Sequence, residues 1–231
     1  MEHLAEELMA ELEVETAFTI PVFGGIEVAE SVVITWVVMA ALFVMSLLLT
    51  RNLKVKDCSK RQIVAEFLVT KLQDMFKNII GEEGKQYVPY LVTVILYLGL
   101  SNIIGVFGIK PPTKDLNVTV ALAVMSIVLI EIAGIRAKGP KKWAKSFTEP
   151  VALVTLFNIL EIIIKPLSLC MRLFGNILGA FVIMELIKLV IPVGVPVIFC
   201  FYFDFFDGLL QAYVFVFLTS LYIREAVETH S

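Results

Sequence analysis

The chain carries a succession of apolar runs, each at least as long as a bilayer is thick, separated by short charged segments. About 20 helical residues, at about 1.5 Å each, cross a hydrocarbon core of about 30 Å. Lipid offers no hydrogen bonds, so a run of that length has to pair its own backbone as a helix. Ser31–Thr50, Tyr87–Ile109 and Asn117–Ile135 each fit one crossing. Pro150–Ile191 and Val197–Tyr222 make up the remaining apolar sequence. With 58% hydrophobic residues, 18% charged residues and a mean hydropathy of +0.88, the chain reads as a polytopic membrane protein rather than a soluble domain.

The charges orient it. The first thirty residues hold Glu2, Glu6, Glu7, Glu11, Glu13, Glu15, Glu27 and Glu30 but neither Lys nor Arg. That is the reverse of a signal-peptide start. It reads as an acidic tail outside the membrane, solvated and partly helical. Arg51, Lys54, Lys56, Lys60 and Arg61 follow the first run, and Lys138, Lys141, Lys142 and Lys145 follow the third. The positive-inside rule puts both basic loops, and the end of the chain at Arg224–Glu228, in the cytoplasm. A short acidic N-terminus without a presequence suits a bacterial plasma membrane.

Ser59–Ile80 is a different kind of segment. Ser59 and Gln62 form a capping-box pattern. Ile63, Val64, Phe67, Leu68, Leu72, Met75, Phe76 and Ile79 recur at helical spacing, with Lys and acidic residues opposite. Gly81 ends the pattern. Such a helix is too charged to span and lies on the cytoplasmic surface or against a partner. Lys110–Asn117 is a turn made rigid by Pro111 and Pro112.

Pro150–Ile191 is about 42 residues, or about 63 Å as one helix, twice the bilayer core. It is two spans without a visible turn, or one long tilted helix through Pro166. The turn that follows is Pro192–Pro196. The expected architecture is all-α, with about five membrane-embedded helices and one amphipathic surface helix. It has three parts: the acidic N-terminus at 1–30, three spans with the amphipathic helix within 31–146, and a long tilted antiparallel hairpin over 147–231.

Polar groups inside the hairpin are costly and therefore informative. Glu161, Lys165, Ser168, Arg172, Asn176 and Gly179 are spaced by three or four and share one helix face. Cys200, Asp204, Asp207 and Gln211 do the same on the return helix. Counted from a turn centred near residue 194, Asp204 is level with Glu185, and Gln211 is level with residue 177, beside Asn176. Two such stripes describe a water-accessible path that stops at a cation, Arg172. Glu185 also has Lys188 one turn on, Glu161 has Lys165, and Glu131 in the third span has Arg136 nearby as it snorkels to the interface. Cys58, Cys170 and Cys200 share no motif, and His3 and His230 sit at the ends. No metal site, cofactor or nucleic-acid partner is expected, and no phosphate-binding, nucleophile-elbow or dinucleotide motif occurs.

Ser168-Leu-Cys-Met-Arg-Leu-Phe-Gly-Asn-Ile-Leu-Gly179 closely resembles the signature of subunit a of the F-type rotary ATP synthase. Asn102-Ile-Ile-Gly105, Pro111–Thr119 and Leu209–Phe215 resemble that family's other blocks in order and position. The resemblance covers about Pro89 to Glu228. It implies a non-catalytic stator subunit that works with a rotor ring of c subunits, the peripheral-stalk b subunits and the rest of the synthase. Arg172 would face the rotor carboxylate, with Gln211 and Asn176 near it, and Asp204 would stand in the outer half-channel. Asp207 extends that group, while Ser168, Asp115, Asn117, Glu131, Glu161 and Lys165 belong to the pathway or to its frame. Phe181 stands where many members carry a glutamate, and Glu185, one turn on, is expected to take that role. A secondary transporter would instead show internal repeats, and none is found. A structural subunit would use Arg172 only as an anchor, and a stand-alone channel would need a pore that the chain does not suggest.

Overall fold

The computed structural model describes residues 16–21, 26–51, 53–54, 59–146, 152–190 and 194–228, with the Glu185 side chain outside that description. The acidic tail through Glu15 and the residues at 191–193 before Gly194 also lie outside it. Among the described residues, five helices are long and apolar enough to cross a membrane. The multi-pass helical architecture read from the apolar runs is therefore present.

The described part of the N-terminus differs from the expectation. Thr16–Ile20 (β1) and Ile26–Ala29 (β2) pair antiparallel, with Thr16 opposite Ala29 and Ile20 opposite Ile26. The reason is local. Thr16, Phe18, Thr19, Ile20, Ile26 and Val28 are β-branched or aromatic, and such residues favour strands over a solvated helix.

Helix α1 (Glu30–Thr50) is apolar on every side and buries only Val38, as a lipid-facing span must. Helix α2 (Lys60–Ile80) has the expected caps. The Ser59 hydroxyl accepts from the Gln62 amide at 3.3 Å, and Gly81 takes φ +80 with its N–H on Lys77 O. Its two halves have different neighbours. Phe76 and Ile80 are buried in the core, with Leu72, Met75 and Ile79 packed against it, while Ile63, Val64, Phe67 and Leu68 are exposed.

Helix α3 (Val88–Ile103) continues through a 3-10 turn at Ile104–Phe107, and a second one at Pro112–Lys114 leads into α4 (Leu116–Lys138). The short helix α5 (Pro140–Ser146) folds back after Gly139, which takes φ +79. Helix α6 runs unbroken from Ala152 to Val190 through Pro166, so the one-helix alternative is the one adopted. Its 39 residues measure about 58 Å, about twice a hydrocarbon core of about 30 Å.

The return arm is not one regular helix. Helix α7 (Val195–Cys200) leads into a π-helical segment, Phe201–Asp207, and then into α8 (Gly208–Val227). The arms of the hairpin touch one another sparingly. Helix α4 packs along both, and α3 packs along α8. Close approach depends on small residues, as in other membrane bundles. A Cβ on Gly134 would meet Ala226 Cβ at 3.6 Å. Leu91, Leu98, Ala133, Leu169, Leu173, Val216 and Ile223 form the tightly buried centre.

Candidate ion pathway

A cavity of about 280 Å³ opens where the end of α3, the Lys110-Pro111 turn, α6 and the π segment meet. Asp204 and Asp207 line one side, and Ile177, Ala180, Phe181, Met184 and Lys188 line the other. The π segment is what presents both acids. The Gly208 N–H reaches back five residues to Phe203 O, a π-type bond, and such turns concentrate at functional sites. Cys200 Sγ donates to Asp204 Oδ2 at 3.0 Å. Gln211 is buried, with its amide within hydrogen-bonding reach of the Asp207 carboxylate. Three of the four stripe residues on the return arm are thus neighbours of Asp204 or of the cavity, and the fourth, Gln211, backs Asp207.

The opposite wall of the cavity carries fixed positive charge. Lys110 and Lys188 both line it, and the Lys114 ammonium lies 3.3 Å from the centre of the Phe181 ring. The Phe181 ring therefore belongs to the polar region. Glu185 follows one turn later on α6.

Beneath the acids lies a hydrogen-bonded group that periodicity alone did not single out. Asn102 is 4% exposed, donates through Nδ2 to Gly208 O at 2.8 Å and accepts at Oδ1 from Thr113 Oγ1 at 2.8 Å. The sequence signal was an asparagine inside an apolar span, where a polar side chain needs a partner.

Arg172 lies on the other side of α6. Leu169, Cys170 and Leu173 face the core, with Cys170 Sγ 3.5 Å from Thr119 Oγ1. Met171, Arg172 and Asn176 are exposed, as are Ile163, Ile164 and Leu167 on the preceding turns, and Ser168 is half-buried. Among the described residues Arg172 has no hydrogen bond or ion pair. It makes no bond to Gln211, which is turned into the bundle.

The remaining candidates have structural partners. Lys165 bridges Glu161 at 2.9 Å and Glu225 at 3.2 Å, joining α6 to α8. Asp115 is buried at the start of α4. Its Oδ1 accepts from the Asn117 amide at 2.9 Å, and its Oδ2 accepts from the Ser31 hydroxyl at 2.5 Å. Asn117 itself is exposed. The Glu131 carboxylate accepts from Trp143 Nε1 at 3.1 Å. The turn at Gly139 lays the indole back along α4, a tertiary event that charge spacing does not report.

A long helical hairpin, a cavity with two carboxylates and an arginine on the outer face define a multi-pass membrane protein built to handle ions. The family model described as ATP synthase A chain matches residues 32–224, and the chain belongs to that family. Subunit a of Moorella thermoacetica is 36% identical over 210 residues, covering 90% of this chain and 94% of the relative. Subunit a of Legionella pneumophila (strain Philadelphia 1) is 29% identical over 212 residues and 90% of each chain. The protein named "ATP synthase subunit a, sodium ion specific" from Propionigenium modestum is 33% identical over 88% of this chain and 75% of the relative. Membership makes the chain part of an ATP synthase complex, as the ion-translocating stator component of its membrane sector, without a catalytic site of its own.

Proposed function

We propose that Arg172 faces the ion-binding carboxylate of a rotor ring of c subunits and separates two half-channels, the outer of which contains the Asp204–Asp207 cavity. One observation carries this reading. Arg172 projects from an exposed apolar face at membrane depth, with no ion-pair partner among the described residues. A guanidinium is always charged, and lipid cannot solvate it. We place its compensating charge on another chain, and the exposed Leu167 and Met171 on the same stretch of helix suit a packed helical partner.

The chemistry follows from charge. An ion entering the outer cavity neutralises a rotor carboxylate, and only the neutral site crosses lipid at low cost. When the site returns to Arg172, the fixed cation favours the ionised carboxylate and releases the ion to the other side. Asn176, next along the exposed face, lines the approach, and Gln211 backs Asp207 from within the bundle. Asp204, Asp207 and Glu185 relay the ion from outside. The peripheral-stalk b subunits hold the chain against the ring, and the complex lies in a bacterial plasma membrane with the N-terminus outside. Arg172→Lys keeps a positive charge but loses the guanidinium fork. In membrane vesicles containing the assembled complex, this variant loses ion-driven ATP synthesis. Wild-type synthesis in Arg172→Lys would refute the reading.

A further inference from the structure

We propose that Asn102, together with Gly105 and Gly208, is a latch that sets the π-helical register of Phe201–Asp207 and thereby aims the Asp204 and Asp207 carboxylates. The consequence for ion transfer rests on the half-channel reading above. The latch itself rests on packing and hydrogen bonds.

The change from π to α geometry falls at Gly208, where the N–H reaches back to Phe203 O. A return of this segment to α geometry would shift its register by one residue. That shift would rotate both acids relative to the cavity. Three contacts hold the segment in place. Asn102 Nδ2 donates to the carbonyl of Gly208 from a different helix. The contact exists because position 208 has no side chain: a Cβ there would stand 2.9 Å from Asn102 Cβ and force α3 and α8 apart. Gly105, one turn on from Asn102, leaves room for Asp204. A Cβ at 105 would meet Asp204 Cγ at 3.1 Å and Oδ1 at 3.2 Å. Thr113 then orients the amide, since its hydroxyl donates to Oδ1 and leaves Nδ2 for Gly208. Asn102 touches the pathway wall but acts through the return helix. It is a positioning residue.

The test uses the assembled complex in vesicles, with amounts normalised to assembled enzyme. Cys200 is the reporter, because its thiol is bonded to Asp204 at the front of the π segment. With Cys58→Ser and Cys170→Ser in place, a small water-soluble thiol reagent reads the environment of Cys200 in this chain. Asn102→Leu removes the donor, and Asn102→Asp replaces it with an acceptor facing the Gly208 carbonyl. Both are expected to change the Cys200 labelling rate several-fold and to lower ATP-driven ion pumping about tenfold or more, as misaimed groups do. Thr113→Ala, which loses only the orienting bond, shifts both readouts in the same direction by less and serves if an Asn102 variant fails to assemble. Labelling or pumping at the wild-type level in both Asn102 variants overturns the latch. Asp204→Asn tests the half-channel reading separately: full pumping there refutes that reading, while Cys200 labelling in the Asn102 variants, with Asp204 intact, reports on the latch.

Discussion

Replacing Asp115 separates a carboxylate that carries charge along a path from one that ties helices together. The Asp115 carboxylate is 6% exposed and makes two bonds, one to the Asn117 amide at the start of α4 and one to the Ser31 hydroxyl at the start of α1. Losing a helix cap costs about 1 kcal/mol. Losing a buried hydrogen bond to a charged group costs about 1.5–3 kcal/mol. Asp115→Ala should therefore destabilise the chain by about 2–4 kcal/mol, with the Ser31 hydroxyl left unpaired. Asp115→Asn should cost about 1 kcal/mol or less, because asparagine caps a helix as well as aspartate. A double-mutant cycle with Ser31→Ala should give a coupling of about 1–2 kcal/mol, within the range for bonded neighbours. The measurements are equilibrium unfolding of the purified chain in mild micelles and ATP-driven ion pumping by the assembled complex in vesicles. The expected result is near-normal pumping in Asp115→Asn. If Asp115→Asn abolishes pumping while stability is unchanged, the carboxylate charge itself is used and the structural reasoning is wrong.

Three further outcomes follow from the same contacts. Lys165→Gln loses the bridge between Glu161 and Glu225, and since both acids are well exposed the loss is about 0.5–1 kcal/mol, with pumping retained; a tenfold fall in pumping per complex would contradict it. Gln62→Leu removes the pair of bonds to the Lys54 backbone, N–H to Oε1 and Nε2 to O, both 3.0 Å, so trypsin should cut the basic loop of inside-out vesicles several-fold faster; an unchanged cutting rate would show that Gln62 does not hold the loop. Glu185→Gln, the test of the residue proposed to replace the glutamate missing at Phe181, should lower ion-driven ATP synthesis well below wild type, and intact synthesis would remove Glu185 from the pathway.

Much of the candidate site was legible because acids and an arginine in hydrocarbon are conspicuous. Asp204 and Asp207 stood out in a Phe-rich run, and the structure places both on one cavity. The depth count set Gln211 level with residue 177, and the structure adds that Gln211 is buried behind Asp207 while Asn176 is turned outward. Depth along a hairpin says how far a residue lies from the tip, but not which way its helix is rotated. The Lys110, Lys114 and Lys188 contribution was missed for a related reason. Lysines near a turn read as interface residues, and only folding brings the Lys110–Lys114 turn against α6 at Phe181 and Lys188.

The sequence by itself determined which runs are long and apolar enough to cross a membrane and which helix is amphipathic, while Pro150–Ile191 could be two spans or one tilted helix. Those are local properties, counted along the chain against a bilayer of nearly constant thickness. The cap at Ser59 and the glycine stop at Gly81 were equally local. Only the tertiary structure decided which faces meet. In water an apolar stripe marks the buried side of a helix, but lipid tails are as apolar as leucine, so a spanning helix shows no such stripe. That is why the wedging of α4 between the hairpin arms, the π turn that aims the acids, the Asn102–Gly208 contact and the outward face of Arg172 appear only in the folded chain.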